Sequence, residues 1–171
     1  MLCLFKRHLN LWNMALVSKT QFYQDLLAQT KSLICGEVDP VANMANISAL
    51  LFDALEQVNW LGFYRVIEEQ LVLGPFQGKV ACIRIPIGTG VCGTAAQTKT
   101  TQRISDVHQF EGHIACDATT NAEIVIPVKL NGDIIAVLDI DSTSFERFDQ
   151  QDQDGLEAIV KVFEQSLILG R

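Results

Sequence analysis

Ile124-Val-Ile-Pro-Val-Lys-Leu130, Asn131-Gly132 and Asp133-Ile-Ile-Ala-Val-Leu-Asp139 read as two strands joined by a two-residue turn. Asn-Gly is the strongest short hairpin signal, because both residues tolerate positive φ. The pairing is therefore antiparallel, and the rest of the chain arranges itself around it. Trp60 to Ile67 is aromatic and β-branched, and predicts a strand. Glu68-Glu69-Gln70 turns the chain, and Leu71 to Phe76 returns. Val80 to Ile85 alternates and predicts a further strand carrying Cys82, while Gln102 to Ser105 predicts a short one. Pro86-Ile-Gly-Thr-Gly reads as a loop before a short helix from about Val91 to Thr98. Residues 106 to 121 are polar and irregular.

Three longer helices flank these strands. Residues 18 to 34 form the first, with Ser18 as cap and Phe22, Leu26 and Leu33 at roughly helical spacing. Asp39-Pro40 opens the second, with Asp as N-cap and Pro at the first helical position. It runs to about Gln57, with Val41, Met44, Ile47, Ser48, Leu51 and Leu55 along its buried side. The last begins near Asp149 and carries Leu156, Ile159, Val160, Phe163 and Leu167 as one stripe. This order predicts an α+β domain: one antiparallel sheet with helices packed mainly on one face.

With 171 residues, 49% of them hydrophobic, the chain reads as one domain able to bury its own core. A net charge of −7 argues against a binder of phosphate backbones. No apolar run is long enough for a membrane helix, and the first residues carry their charges after the apolar stretch, unlike a signal peptide. Met14 could be the natural start, making residues 1–13 an extension outside the fold and 14–171 the domain. Five cysteines without export imply reduced thiols and a cytoplasmic protein.

Cys82, Cys92 and Cys116 are the residues closest to chemistry. Free cysteine is often only a small buried hydrophobe, and Cys35 at a helix end fits that. Cys92, in Gly90-Val-Cys-Gly93, opens a helix whose amide dipoles would lower its pKa. Cys116 lies in a polar loop beside His113. In Val137-Leu-Asp-Ile-Asp141 the two acids share one strand face, about 7 Å apart. Val137 and Ile135 share that face, and Leu138 and Ile140 take the other. The pair is either a solvated strand end or a site for an ammonium group or a proton. Glu123 joins that face only if the hairpin is bulged, and Pro127 is a natural place for the bulge. Trp60 and Tyr64, four apart on a strand, are core or a cage for a methyl or sulfonium-like group. His108 and His113 read as loop surface. Gly88-Thr-Gly-Val-Cys-Gly93 lacks the Lys-Ser/Thr of a phosphate loop.

Six segments together carry a resemblance: Asn59-Trp-Leu-Gly-Phe-Tyr64, Leu73-Gly-Pro-Phe-Gln-Gly-Lys79, Ala81-Cys-Ile-Arg-Ile-Pro-Ile-Gly-Thr-Gly-Val-Cys-Gly-Thr-Ala95, His113-Ile-Ala-Cys-Asp117, Ala122-Glu-Ile-Val-Ile-Pro127 and Leu138-Asp-Ile-Asp-Ser142. They resemble the free methionine-(R)-sulfoxide reductases, enzymes built on a single GAF domain, from about Phe22 to Phe163. The resemblance implies that Cys116 attacks the sulfoxide, with Cys82 or Cys92 as resolving cysteine. It implies that Trp60 and Tyr64 hold the methylthio end of the substrate and that Glu123, Asp139 and Asp141 are the acidic site residues. Glu123, its pKa raised by acidic neighbours, would protonate the leaving oxygen, and Asp139 and Asp141 would take the free amino group. Cys116 would pass through a sulfenic acid to an intramolecular disulfide, recycled by thioredoxin. A homodimer is expected, and neither a cofactor nor a metal is needed. Against this stand a non-catalytic GAF sensor of redox state or of a small ligand, and a zinc-bound structural protein using Cys82, Cys92, Cys116 and His113.

Overall fold

The computed structural model describes residues 18–112 and 117–169. The extension expected over residues 1–13 lies outside them, as do His113 and Cys116.

Helix α1 (Lys19–Leu33) starts at Ser18, whose hydroxyl accepts from the Gln21 amide. Helix α2 (Pro40–Ala54) starts at Asp39, whose carboxylate accepts from the Ala42 amide at 2.8 Å. Strands β1 (Val58–Ile67) and β2 (Gln70–Gly78) follow, joined by Glu68 and Glu69, both at positive φ. After β3 (Arg84–Pro86), α3 (Gly90–Thr98) and β4 (Gln102–Ile104) come β5 (Ala122–Leu130) and β6 (Asp133–Ser142). Their turn places Asn131 and Gly132 at positive φ, as the dipeptide predicts. Helix α4 (Gln150–Leu169) opens with a reciprocal cap. Asp149 accepts from the Asp152 amide at 3.0 Å, and Asp152 accepts from the Asp149 amide at 2.8 Å.

The strands form one antiparallel sheet in the order β3-β2-β1-β6-β5-β4. Helices α1, α2 and α4 cover one face. Leu61 and Phe63 of β1, Ile124, Ile126 and Val128 of β5, and Ala136, Leu138 and Ile140 of β6 point into that layer. They meet Met44, Ile47, Leu51, Leu156, Ile159 and Phe163. Among the described α-helices only α3 lies on the other face, against Trp60, Tyr64, Val125 and Val137. The α+β architecture is the one expected, and the stripe expected on α4 is buried throughout. On α2 the expected side is the buried one, with Met44, Ile47, Ser48, Leu51 and Leu55 all buried, and only Val41 departs from it, whereas α1 is rotated from expectation. On α1 the buried positions are Tyr23, Leu26 and Thr30 while Leu33 is exposed, and on α2 Asn43 is buried while Val41 is exposed. Tyr23 decides the rotation of α1. Its ring lies where a Cβ on Gly155 of α4 would be, and its hydroxyl donates to buried Asp152 at 2.8 Å.

The strand expected over Val80 to Ile85 is shorter than predicted. Only Arg84–Pro86 pairs with β2, and Cys82 lies in the preceding loop. The reason is in β2, where Gly74 and Pro75 bulge opposite Phe63. The last bond toward the edge is Leu73 N–H to Ile83 O, at 3.0 Å. Beyond it Pro75 has no N–H to continue the ladder. The alternation of Val80 and Ile83 therefore marks exposed residues, not a buried strand face.

Candidate active site

The hairpin register decides which acids meet. A regular two-residue turn pairs Leu130 with Asp133 and Lys129 with Ile134, but Val128 then pairs with Ala136. The extra residue on β6 is a bulge, and it shifts every later pair by one. Glu123 therefore stands opposite Asp141, on the same face as Asp139. The bulge expected in this hairpin exists, but not at Pro127, which pairs regularly with Val137. Pro127 is tolerated in an interior strand because β4 ends its pairing at Val125, so no neighbour on that side needs its amide. The bulge also corrects the placement of Ile135. It packs against the helix-covered core, and Ile134 packs on the site face beside Val137.

Across the sheet this register builds two rows. Trp60, Asp141 and Glu123 are cross-strand neighbours in one, and Gly62, Asp139 and Val125 in the next. Trp60 and Tyr64 lean together over side-chain-free Gly62, with ring centroids 5.7 Å apart. Phe76 of β2 also stacks on the indole, with ring centroids 5.4 Å apart. A Cβ on Gly62 would lie 2.3 Å from the Phe76 Cβ, so this glycine is required by the close approach. The indole N–H donates to the Lys79 carbonyl at 3.0 Å, which fixes the ring. Phe76 was not picked out from the sequence, because only the β1–β2 register shows that it stacks on Trp60.

A pocket opens between this aromatic wall, the first turn of α3 and the acids. Trp60, Tyr64, Cys92, Glu123, Asp139 and Asp141 all line it. Its rim includes Lys79 and Asp117, paired at 3.1 Å, which were not picked out from the sequence as site residues. Bonds from Thr119 and the pairing with Lys79 hold the Asp117 carboxyl at about 2. Cys92 Sγ lies 3.9 Å from Glu123 Oε1 as a hydrogen-bonded pair.

Burial and mutual repulsion dominate the electrostatics. Glu123 is pushed well above the ordinary carboxylate range, first by burial and then by the charges of Asp139 and Asp141. Asp141 is pushed well up by burial and by Asp139, and Asp139 rises to about 6 through burial. Cys92 contradicts its expectation. Although it sits in the first turn of α3, burial and the neighbouring Asp139 and Glu123 push its thiol well up. One turn of helix dipole does not outweigh a site that excludes water and carries negative charge. Tyr64 is held as the protonated phenol by burial and the same acids. Cys82 is disulfide-bonded, whereas Cys35 and Cys92 are free. His108 contacts Asn121 and the ring of Phe145 on the surface, away from the pocket.

The acid cluster predicts an inverted pH dependence of stability. Asp139 keeps its proton up to about pH 6 in the folded state, against an ordinary value of 3.8. Between those values the folded protein binds more protons than the unfolded chain, so stability falls as pH rises through about 6. Asp139→Asn is expected to stabilise the protein at pH 7.5 by roughly 3 kcal/mol, or roughly 5–10 °C in Tm. Thermal melts at pH 4, 6 and 7.5 check this. A variant that melts no higher than the parent at pH 7.5 would contradict it.

The chain matches the family model described as GAF domain over residues 41–167. The sheet, its helices and the pocket above α3 are thus those of a GAF domain. The chain is 53% identical over 151 residues to the free methionine-R-sulfoxide reductase of Escherichia coli (strain K12), covering 88% of this chain and 92% of the relative. It superposes on the structure of fRMsr of Staphylococcus aureus in complex with substrate with a TM-score of 0.82 and 52% identity, over 85% of this chain and 95% of that one. It superposes on free methionine-R-sulfoxide reductase from Neisseria meningitidis in complex with its substrate with a TM-score of 0.87 and 39% identity, over 93% and 96% of the two chains. The chain belongs to the free methionine-R-sulfoxide reductases, and is an oxidoreductase.

Proposed function

We propose that this protein reduces free L-methionine-(R)-S-oxide to methionine. The observation that carries the reading is the pocket itself: the stacked rings of Trp60 and Tyr64, with Phe76 stacked on the indole outside the pocket lining, two buried acids and half-buried Asp141, and a buried thiol. The rings suit a methylthio group, which packs well against aromatic faces. Asp139 and Asp141 suit an ammonium group, which would relieve their repulsion. A methionine residue within a peptide lacks that ammonium, so the acids select the free amino acid.

Cys116 is the proposed nucleophile. Its thiolate attacks the sulfoxide sulfur, and Glu123, whose proton is held more tightly by burial and by Asp139 and Asp141, gives that proton to the oxygen. The hydroxyl then passes from the substrate sulfur to Cys116 Sγ as the bond between the two sulfurs breaks, so methionine leaves with that electron pair and Cys116 is left as sulfenic acid. A second thiol displaces that oxygen as water and closes a disulfide. Cys82 is the proposed resolving cysteine, because it is the disulfide-bonded one while Cys92 is free and its thiol is pushed up. A thiolate, not a thiol, is the nucleophile in such exchange. Thioredoxin, with its low potential, is the proposed reductant. Val80 and Ile83, both largely exposed beside Cys82, offer it an apolar contact.

The protein is proposed to be cytoplasmic, and no described helix is long and apolar enough to cross a membrane. A homodimer, an extension over residues 1–13 and a domain over 14–171 remain part of the same proposal. The mechanism is tested without external reductant. One methionine per chain should form, together with a Cys82–Cys116 disulfide seen by peptide mass spectrometry. A Cys92–Cys116 linkage after that single turnover would exchange the proposed roles of Cys82 and Cys92.

A further inference from the structure

One thiol and two carboxylates meet at the floor of the pocket. Cys92 Sγ, one oxygen of Glu123 and one of Asp139 lie within 4.8 Å of one another, and all three residues are buried. Asp139 is 6% exposed and lines the pocket, and its Oδ1 is buried without a hydrogen-bond partner. An acceptor-only oxygen in that position calls for a cation or a donor that enters the pocket.

We propose that the protein binds one zinc ion through Cys92 Sγ, Glu123 and Asp139. The donor set selects the metal. A thiolate with two carboxylates suits zinc, whereas magnesium and calcium take oxygen ligands in sixfold or higher coordination. Zinc bonds of about 2.3 Å to sulfur and about 2.1 Å to oxygen put tetrahedral ligands about 3.6 Å apart. The three atoms, within 4.8 Å of one another, would have to draw together by about 1 Å at most, and all three residues line the pocket through which an ion would enter. Binding takes the proton from the Cys92 thiol, and from any protonated carboxyl, so affinity rises with pH. The ion neutralises two of the three negative charges it gathers and removes Glu123 from acid duty. The site is distinct from a set built on Cys82, Cys92, Cys116 and His113, because Glu123 and Asp139 join Cys92 in it.

This inference does not depend on the reductase reading, and its test does not use turnover. Cobalt(II) is titrated into the metal-free protein as a spectroscopic probe for the zinc site. One equivalent should bind with a thiolate-to-cobalt band in the near ultraviolet, and one equivalent of zinc should remove it. Cys92→Ser should abolish the band. Glu123→Gln and Asp139→Asn, both close in shape to the parent, should weaken binding about tenfold or more. Cys82→Ser should leave it unchanged. Circular dichroism establishes that each variant is folded. A band that survives Cys92→Ser or disappears in Cys82→Ser would overturn the assignment, as would absence of saturable binding to the folded parent.

Discussion

Cys116→Ser is expected to abolish methionine formation from free methionine-R-sulfoxide, lowering kcat by about a thousandfold or more. A serine hydroxyl neither attacks a sulfoxide sulfur at neutral pH nor carries away its oxygen as a reducible acid. The remaining thiols offer no replacement in the described structure. Cys35 is exposed beyond the end of α1, Cys82 is not among the residues that line the pocket, and the Cys92 thiol is buried among carboxylates that oppose its ionisation. The measurement is methionine released with dithiothreitol as reductant, on protein shown to melt like the parent. Retention of more than about a tenth of parent activity would move the nucleophile elsewhere. Cys82→Ser is the contrast, since without external reductant it should still release one methionine per chain.

Glu123→Gln should lower kcat by about 10²–10⁴-fold, with a much smaller change in KM. The amide keeps the shape of the side chain but cannot give a proton to the developing oxygen. The pH profile separates this from simple damage. Glu123 acts as an acid, so turnover in the parent falls as pH rises through its raised pKa. That limb should flatten in the variant, because the group that causes it is gone. Profiles of kcat from pH 5 to 9 for both proteins check the claim. An unchanged limb in Glu123→Gln would assign it to another group.

The placement of Glu123 shows how far the sequence alone reaches. The strands, the Asn131-Gly132 turn and the face shared by Asp139 and Asp141 follow from local chemistry, because alternation and turn residues are local properties. Whether Glu123 joins that face depends on one extra residue between Val128 and Ala136. No glycine or proline marks it. Ile134 and Ile135 are both apolar, and both faces of β6 are covered there, so neither order of facing is penalised. Cys82 illustrates the converse case. Its segment alternates like a strand, yet the ladder stops for want of an amide in Pro75, on a different strand. The sign of the Cys92 shift was equally hidden. A helix start is visible in Gly90-Val-Cys-Gly93, but the desolvation and the two facing carboxylates come from β5 and β6.

The most direct test offers the protein free methionine-R,S-sulfoxide and its N-acetylated form, with dithiothreitol, and follows each stereoisomer by chiral chromatography. The account predicts that the free R isomer is consumed with matching methionine release, that the free S isomer persists, and that the N-acetyl compounds are left essentially untouched. Consumption of the N-acetyl form as fast as the free one would contradict the role given to Asp139 and Asp141. A folded protein that consumes neither free isomer would contradict the proposed activity.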